Sequence, residues 1–201
     1  MKASVAAQPP QPNCPPKGTQ AKAYDALKQS ANDGWKSFLC DRVDRLAPGA
    51  ILDWSHEVRD RILEVGKIVG PGVMQTVIKT ITNSWAMSHR SHEEVRLGCI
   101  FGCQGCVDTL EHYLVCDPFW TILVSCAKLS AEWLSLSAFR RLAILSPSPT
   151  AFNLMAIASR SYHAIRLDHT EKVLASHWSK DYRDIIELLI LHARVHAADL
   201  L

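Results

Sequence analysis

No stretch of this 201-residue chain approaches the eighteen or more uninterrupted apolar residues that a membrane-spanning helix needs, so no membrane partner is expected. A large charge excess is missing too. With 22 Lys and Arg against 20 Asp and Glu, the formal net charge is +2, too mild to name a nucleic-acid or membrane partner on its own. Several catalytic signatures are absent: there is no G-x-x-x-x-G-K-[ST], no H-E-x-x-H and no G-x-S-x-G. No Asp-Asp dipeptide occurs, which excludes the paired-aspartate turn that holds two metal ions in a template-directed polymerase. The N-terminus has one early lysine and then runs into Gln and Pro before an apolar signal core forms, and the cysteine count is odd at seven. Reduced thiols in an intracellular, cytoplasmic or nuclear, setting are the expectation.

What is present is mostly helical spacing. Hydrophobic content of 48% supports one sizeable core or two small ones. Residues 1–19, rich in proline, read as a disordered leader; residues 20–90, 91–118 and 119–201 read as a helical segment, a knuckle and a second helical segment. Apolar residues recur at three and four from Tyr24 to Leu46. Asp53 is placed to cap a helix over Trp54–Val69, and Gly70-Pro71-Gly72 to stop it. A further helix is expected over Val73–Met87. After Cys116, helices are expected around Phe119–Ala127, over Trp133–Leu145, from a Thr150 cap through Ile165, and in a last and longest helix burying Trp178, Tyr182, Ile185 and Leu189. The fold class is therefore mainly α: a bundle-like chain with a central Cys/His knuckle of a short β-turn plus a helix. Trp85, Trp120 and Trp178 fall on apolar faces and are assigned to packing.

Chemistry is concentrated in Leu97–Cys116, where twenty residues carry Cys99, Cys103, Cys106, His112 and Cys116. Soft thiolates with one imidazole fill the four positions of a structural Zn²⁺ site, and a site with no ligand missing is structural rather than catalytic. Asp108 and Glu111 have the spacing of a capping box that starts a helix at Asp108. On that helix His112 and Cys116 stand four apart on one face, with Leu114 and Val115 toward the core. The first pair of ligands is open between two spacings. Cys99-x3-Cys103 leaves a comfortable loop before His112 and is favoured; Cys103-x2-Cys106 is a common knuckle spacing with a tighter return. The favoured set is Cys99, Cys103, His112 and Cys116, with Cys106 as alternate.

These residues resemble the zinc-binding region downstream of the polymerase domain in non-LTR retrotransposon reverse transcriptases. The resemblance rests on Asn83-Ser-Trp85, Arg90, Cys99-x3-Cys103, Asp108-x-x-Glu111-His112-x3-Cys116 and Pro118, and covers roughly residues 83 to 120. The chain departs from the family at Gln104-Gly105-Cys106, which adds a thiol. Without polymerase aspartates, the resemblance implies a C-terminal fragment or domesticated remnant that is not an enzyme, holds zinc, and contacts RNA or single-stranded DNA. Lys79, Arg90 and Arg96, with His89 and His92, are the candidate nucleic-acid rim; Glu93 and Glu94 dilute it. The alternatives are a zinc-stapled helical scaffold for a protein partner, or a decayed remnant without present function. A zinc deaminase fits poorly, because His92-Glu-Glu94 lies too close to Cys103-x-x-Cys106 and the second motif lacks its preceding proline. His192 and His196, four apart on a predicted helix, read as a packed or solvent-facing pair rather than ligands.

Overall fold

The computed structural model describes residues 41, 45, 56–88, 94–136 and 147–201, with the side chains of 56–59 excepted. The expected leader, the helices between Tyr24 and Leu46 apart from helical Asp41 and Arg45, Asp53, and residues 89–93 and 137–146 lie outside the described residues. All the residues discussed below fall within one compact unit, Phe38–Leu201.

The described chain is mainly helical. Helix α1 spans His56–Val69 and α2 spans Pro71–Ile81. Between them Gly70 takes φ 81°, a left-handed value open to glycine, and Pro71 starts α2 with a preset φ. Ile62 and Val65 of α1 and Val73, Val77 and Ile81 of α2 are buried, the stripe that their spacing requires. Helix α2 stops short of Met87. Asn83 turns left-handed at φ 53°, and the Trp85 indole N–H folds back onto Thr80 Oγ1 at 3.0 Å, so Trp85 and Met87 are buried from a loop. Ile78, next to buried Val77 on the same helix, is exposed.

A short helix α3 (Leu110–Tyr113) is followed by α4 (Asp117–Cys126), a 3-10 turn at Ala131–Ser135, then α5 (Pro149–Asp168), α6 (Thr170–Ser179) and α7 (Arg183–Leu200). Of the helix expected over Trp133–Leu145, the described part is that 3-10 turn, ended by extended Leu136. Ser148, not Thr150, caps α5: its hydroxyl accepts the Ala151 N–H at 3.2 Å while Pro149 fills the first turn. The expected last helix is two helices. Lys180 takes φ 59° and ends α6, which leaves Trp178 68% exposed instead of packed.

Helix α5 is central. It is buried on most of its surface, with Phe152, Leu154, Met155, Ile157, Tyr162 and Ile165 inside together with the polar Ser159, Ser161 and Arg166. It packs against α1, α2, α4, α6 and α7. One continuous hydrophobic cluster joins Ile62, Val77, Leu97, Phe119, Ile157 and Ile185, so the segments before and after the knuckle share a core. Among the described residues no helix is long and apolar enough to cross a membrane.

Candidate metal centre

The knuckle hangs on a single antiparallel bridge, Gly98 to Val107. Cys99 N–H donates to the Cys106 carbonyl at 3.0 Å and Asp108 N–H to the Leu97 carbonyl at 3.1 Å. The loop they close carries two glycines in the left-handed region, Gly102 at φ 89° and Gly105 at φ 71°. Tyr182, at the start of α7, lies over the first of these. A Cβ on Gly102 would stand 2.9 Å from its ring, so only glycine permits that approach. Gly102 N–H closes the turn onto the Cys99 carbonyl at 3.2 Å, and the Phe101 N–H points at Cys99 Sγ at 3.4 Å.

The helix carrying His112 begins one residue later than expected. Thr109, not Asp108, is the cap, its hydroxyl accepting the His112 N–H at 3.3 Å. Asp108 is withdrawn into the core instead. Its Oδ2 accepts the Ser88 N–H at 2.7 Å, and its Oδ1 accepts the hydroxyls of Tyr113 at 2.7 Å and Tyr162 at 2.8 Å. Arg166 Nε stands 4.0 Å from Oδ2, and both side chains are buried. A carboxylate wholly removed from water needs such donors and a counter-charge. Asp108 thereby ties the knuckle to α5 and to the loop after α2. Tyr113, buried beside it, has its hydroxyl pKa pushed well up by burial and by the neighbouring Tyr162 and Asp108.

His112 and Cys116 do not share a helix. Helix α3 closes at Tyr113, and the chain turns through Leu114 and Val115, of which Leu114 is buried and Val115 exposed. Cys116 is the N-cap of α4, because Asp117-Pro118 restarts the helix with proline in its first turn. The two side chains converge all the same, across the break.

The structure brings together Cys99, Cys103, His112 and Cys116: one ligand atom from each lies within 4.8 Å of the other three, a group suited to hold a metal ion. Cys99 Sγ is 3.8 Å and Cys103 Sγ 3.6 Å from Cys116 Sγ. His112 Nε2 is buried and makes no hydrogen bond. Cys106 stands outside the group, half-buried on the same loop. Protonation within the group is uneven. Cys99 is held low, at about 4, by its hydrogen bond with the Cys116 thiol, against burial, with help from the His112 ring and the Cys103 and Phe101 backbone. Cys116 is pushed up by the same bond to Cys99 and by burial, and Cys103 to about 11 by burial and the charge on Cys99. Burial and mutual repulsion oppose ionising all three thiols together, and a cation among them would relieve both.

Behind the thiols, Phe101 stacks on Phe119 at 4.8 Å and meets Tyr113 edge-on at 5.6 Å. The Trp120 indole donates to the Tyr113 carbonyl at 2.7 Å. This aromatic wall excludes water from one side. On the other side a groove of about 410 Å³ opens, lined by Gly102, Gln104, Cys106, His177, Lys180 and Tyr182.

Of the proposed rim, Lys79 and Arg96 are exposed, while His89, Arg90 and His92 lie outside the described residues. Sequence reasoning missed the Asp108 network and the Tyr182 lid on Gly102. Both depend on residues remote in sequence, and a buried aspartate has the same local signal as a cap. No family model, no curated protein and no solved structure matches this chain.

Proposed function

We propose that the chain is a non-catalytic zinc module that contacts single-stranded nucleic acid, of the kind found downstream of the polymerase in non-LTR retrotransposon reverse transcriptases. The observation that carries the zinc assignment is the spacing of the four donors. A tetrahedron of Zn–S bonds near 2.3 Å has edges of about 3.8 Å, and the two sulfur pairs stand at 3.8 and 3.6 Å. The orphaned His112 Nε2 supplies the fourth corner. Zn²⁺ suits this borderline-soft set, ionises all three thiols, and with every corner filled by protein leaves none for a substrate. Cys99, Cys103, His112 and Cys116 hold the ion; the Phe101 N–H and the aromatic wall fix the thiolates that face it.

Exposed Arg96 and Lys79, together with Lys180 and Tyr182 beside the knuckle, support the nucleic-acid reading: cations for phosphates and an aromatic face for a base. The exposed Trp178 favours the second reading, a zinc-stapled scaffold for a protein partner. Fluorescence anisotropy with single-stranded RNA and DNA over a salt series separates them. A nucleic-acid module binds with affinity falling steeply as salt rises, and Arg90→Ala with Arg96→Ala weakens binding and flattens that slope. Binding that ignores salt, or is unchanged in the double variant, removes the proposal.

A further inference from the structure

From the end of α6 to the start of α7 the chain reads His177-Trp178-Ser179-Lys180-Asp181-Tyr182, in which aromatic and basic side chains interleave. His177, Lys180 and Tyr182 line the groove of about 410 Å³ together with residues 102–106 of the knuckle loop. No carboxylate among the described residues lines it. Asp181, next to Lys180 in the chain, is held by Arg183, whose Nη2 and Nε lie 2.6 and 3.0 Å from its oxygens. Trp178 is largely exposed and sets its indole edge to face against the His177 ring at 5.0 Å. Lys180 holds its place against backbone strain. It ends α6 in the left-handed region at φ 59° and ψ 23°, a position that glycine or asparagine ordinarily fills. The side chain kept there is an exposed ammonium at the groove, and strain retained where glycine would remove it points to a use for that side chain.

We infer that a single strand of nucleic acid lies across this groove, with one phosphate on the Lys180 ammonium and bases stacked on the Trp178 and Tyr182 rings. The inference rests on the nucleic-acid reading above and adds the surface that takes the bases. Exposed Arg96 and Lys79 offer charge alone, whereas aromatic faces beside a cation hold unstacked bases of any sequence. A duplex keeps its bases stacked on one another, so the groove favours single strands. Burial, and then the charge of Lys180, hold His177 below its ordinary pKa. At neutral pH Lys180 is therefore the cation of the groove, and His177 is a neutral hydrogen-bonding group beside it.

Fluorescence anisotropy of the zinc-loaded chain with labelled oligo(dT) and oligo(rU) over a salt series, with a duplex for comparison, tests this. Trp178→Ala removes an exposed ring and leaves the core untouched. It is expected to weaken single-strand binding about fivefold or more, the low end for the loss of one stacked base. Lys180→Gly gives two readouts that a merely structural role would not move in this way. The left-handed position suits glycine, so the thermal midpoint should hold or rise, while the slope of log affinity against log salt should fall by about 0.7, the share of one phosphate contact on a single strand. Wild-type binding that Trp178→Ala leaves unchanged, or a salt slope that Lys180→Gly leaves unchanged, overturns the groove and leaves the nucleic-acid reading to Arg90 and Arg96. A duplex bound as tightly as the single strand also overturns the groove. Absence of single-strand binding by the wild type overturns both the groove and the reading it rests on.

Discussion

Tyr113 follows His112 in the chain and donates its hydroxyl to the buried carboxylate of Asp108 at 2.7 Å, so the residue that presents a metal ligand is moored to the centre of the fold. The same carboxylate oxygen accepts from Tyr162 on α5. Removing Asp108 would take from Tyr113, Tyr162 and the Ser88 N–H the acceptor they share. Asp108→Ala is expected to destabilise the chain by about 3–5 kcal/mol, the usual cost of breaking a buried charged network. Tyr162→Phe removes one charge-assisted bond and should cost about 1.5–3 kcal/mol. Chemical denaturation of the two variants against wild type measures both.

The cysteine centre predicts its own pattern of variants. Cys103→Ser and Cys116→Ser should each abolish tight zinc binding, while Cys106→Ser should retain about one equivalent, the stoichiometry of a single closed site. Elemental analysis after gel filtration decides the matter. Retention by Cys103→Ser with loss in Cys106→Ser would exchange the two residues and discard the assignment made from the 3.6 Å contact between Cys103 and Cys116.

Chelation should loosen the knuckle and leave the central helix in place. Without a cation, burial opposes charge on these thiols, and burial and the charge of Cys99 push Cys103 up. Zinc removal is therefore expected to lower the thermal midpoint and to expose amides of residues 98–116 to hydrogen exchange, with α5 amides protected longest. Uniform exchange through both regions would mean that the knuckle and the core unfold as one.

Much of this was legible in the sequence, for reasons that differ by residue. The buried stripes of α1 and α2 followed from three-to-four spacing, the signature of a helix with one face on a core. The Cys/His group was legible because four soft side chains in twenty residues have few other uses. Local rules misplaced what surrounds it. Asp108 and Thr109 are both competent caps, and the choice fell to Thr109 because Ser88, Tyr113 and Tyr162 converge on the aspartate from elsewhere. The spacing of His112 and Cys116 suggested a shared helix face, but Asp117-Pro118 restarts the helix at Cys116. Trp178 lost its apolar surroundings when Lys180 turned left-handed and split the last helix.

Acid should weaken the fold partly through His163. Its Nε2 accepts the Ala86 N–H at 3.2 Å and its Nδ1 bonds the Ser159 carbonyl at 2.8 Å, an arrangement only the neutral ring completes. Burial, chiefly, and then the charge of Lys79 hold its pKa below the ordinary 6.5, against the Ser159 carbonyl. Between the folded and unfolded values the unfolded chain binds more protons, so stability rises with pH there. His163 thus adds stability that is complete above about 6.5 and is lost as pH falls through the folded value. In His163→Gln the slope of stability against pH below 6.5 should flatten, though not vanish, because His192 and His196 are lowered in the same sense. An unchanged slope, measured by urea unfolding at successive pH values, would assign the acid sensitivity elsewhere.

Gly102 joins two demands that a substitution can separate. Its φ of 89° disfavours any side chain, and a Cβ would stand 2.9 Å from Cδ2 of Tyr182. Gly102→Ala therefore bears a backbone strain of about 1–2 kcal/mol plus the displacement of the Tyr182 ring, and the loop it distorts carries Cys99 and Cys103. Zinc affinity and thermal midpoint should both fall. Adding Tyr182→Ala relieves the steric part and leaves the backbone part, so the double variant should regain some but not all of the lost affinity. Full recovery would mean that the Tyr182 contact alone requires glycine; no recovery would mean that the left-handed turn does.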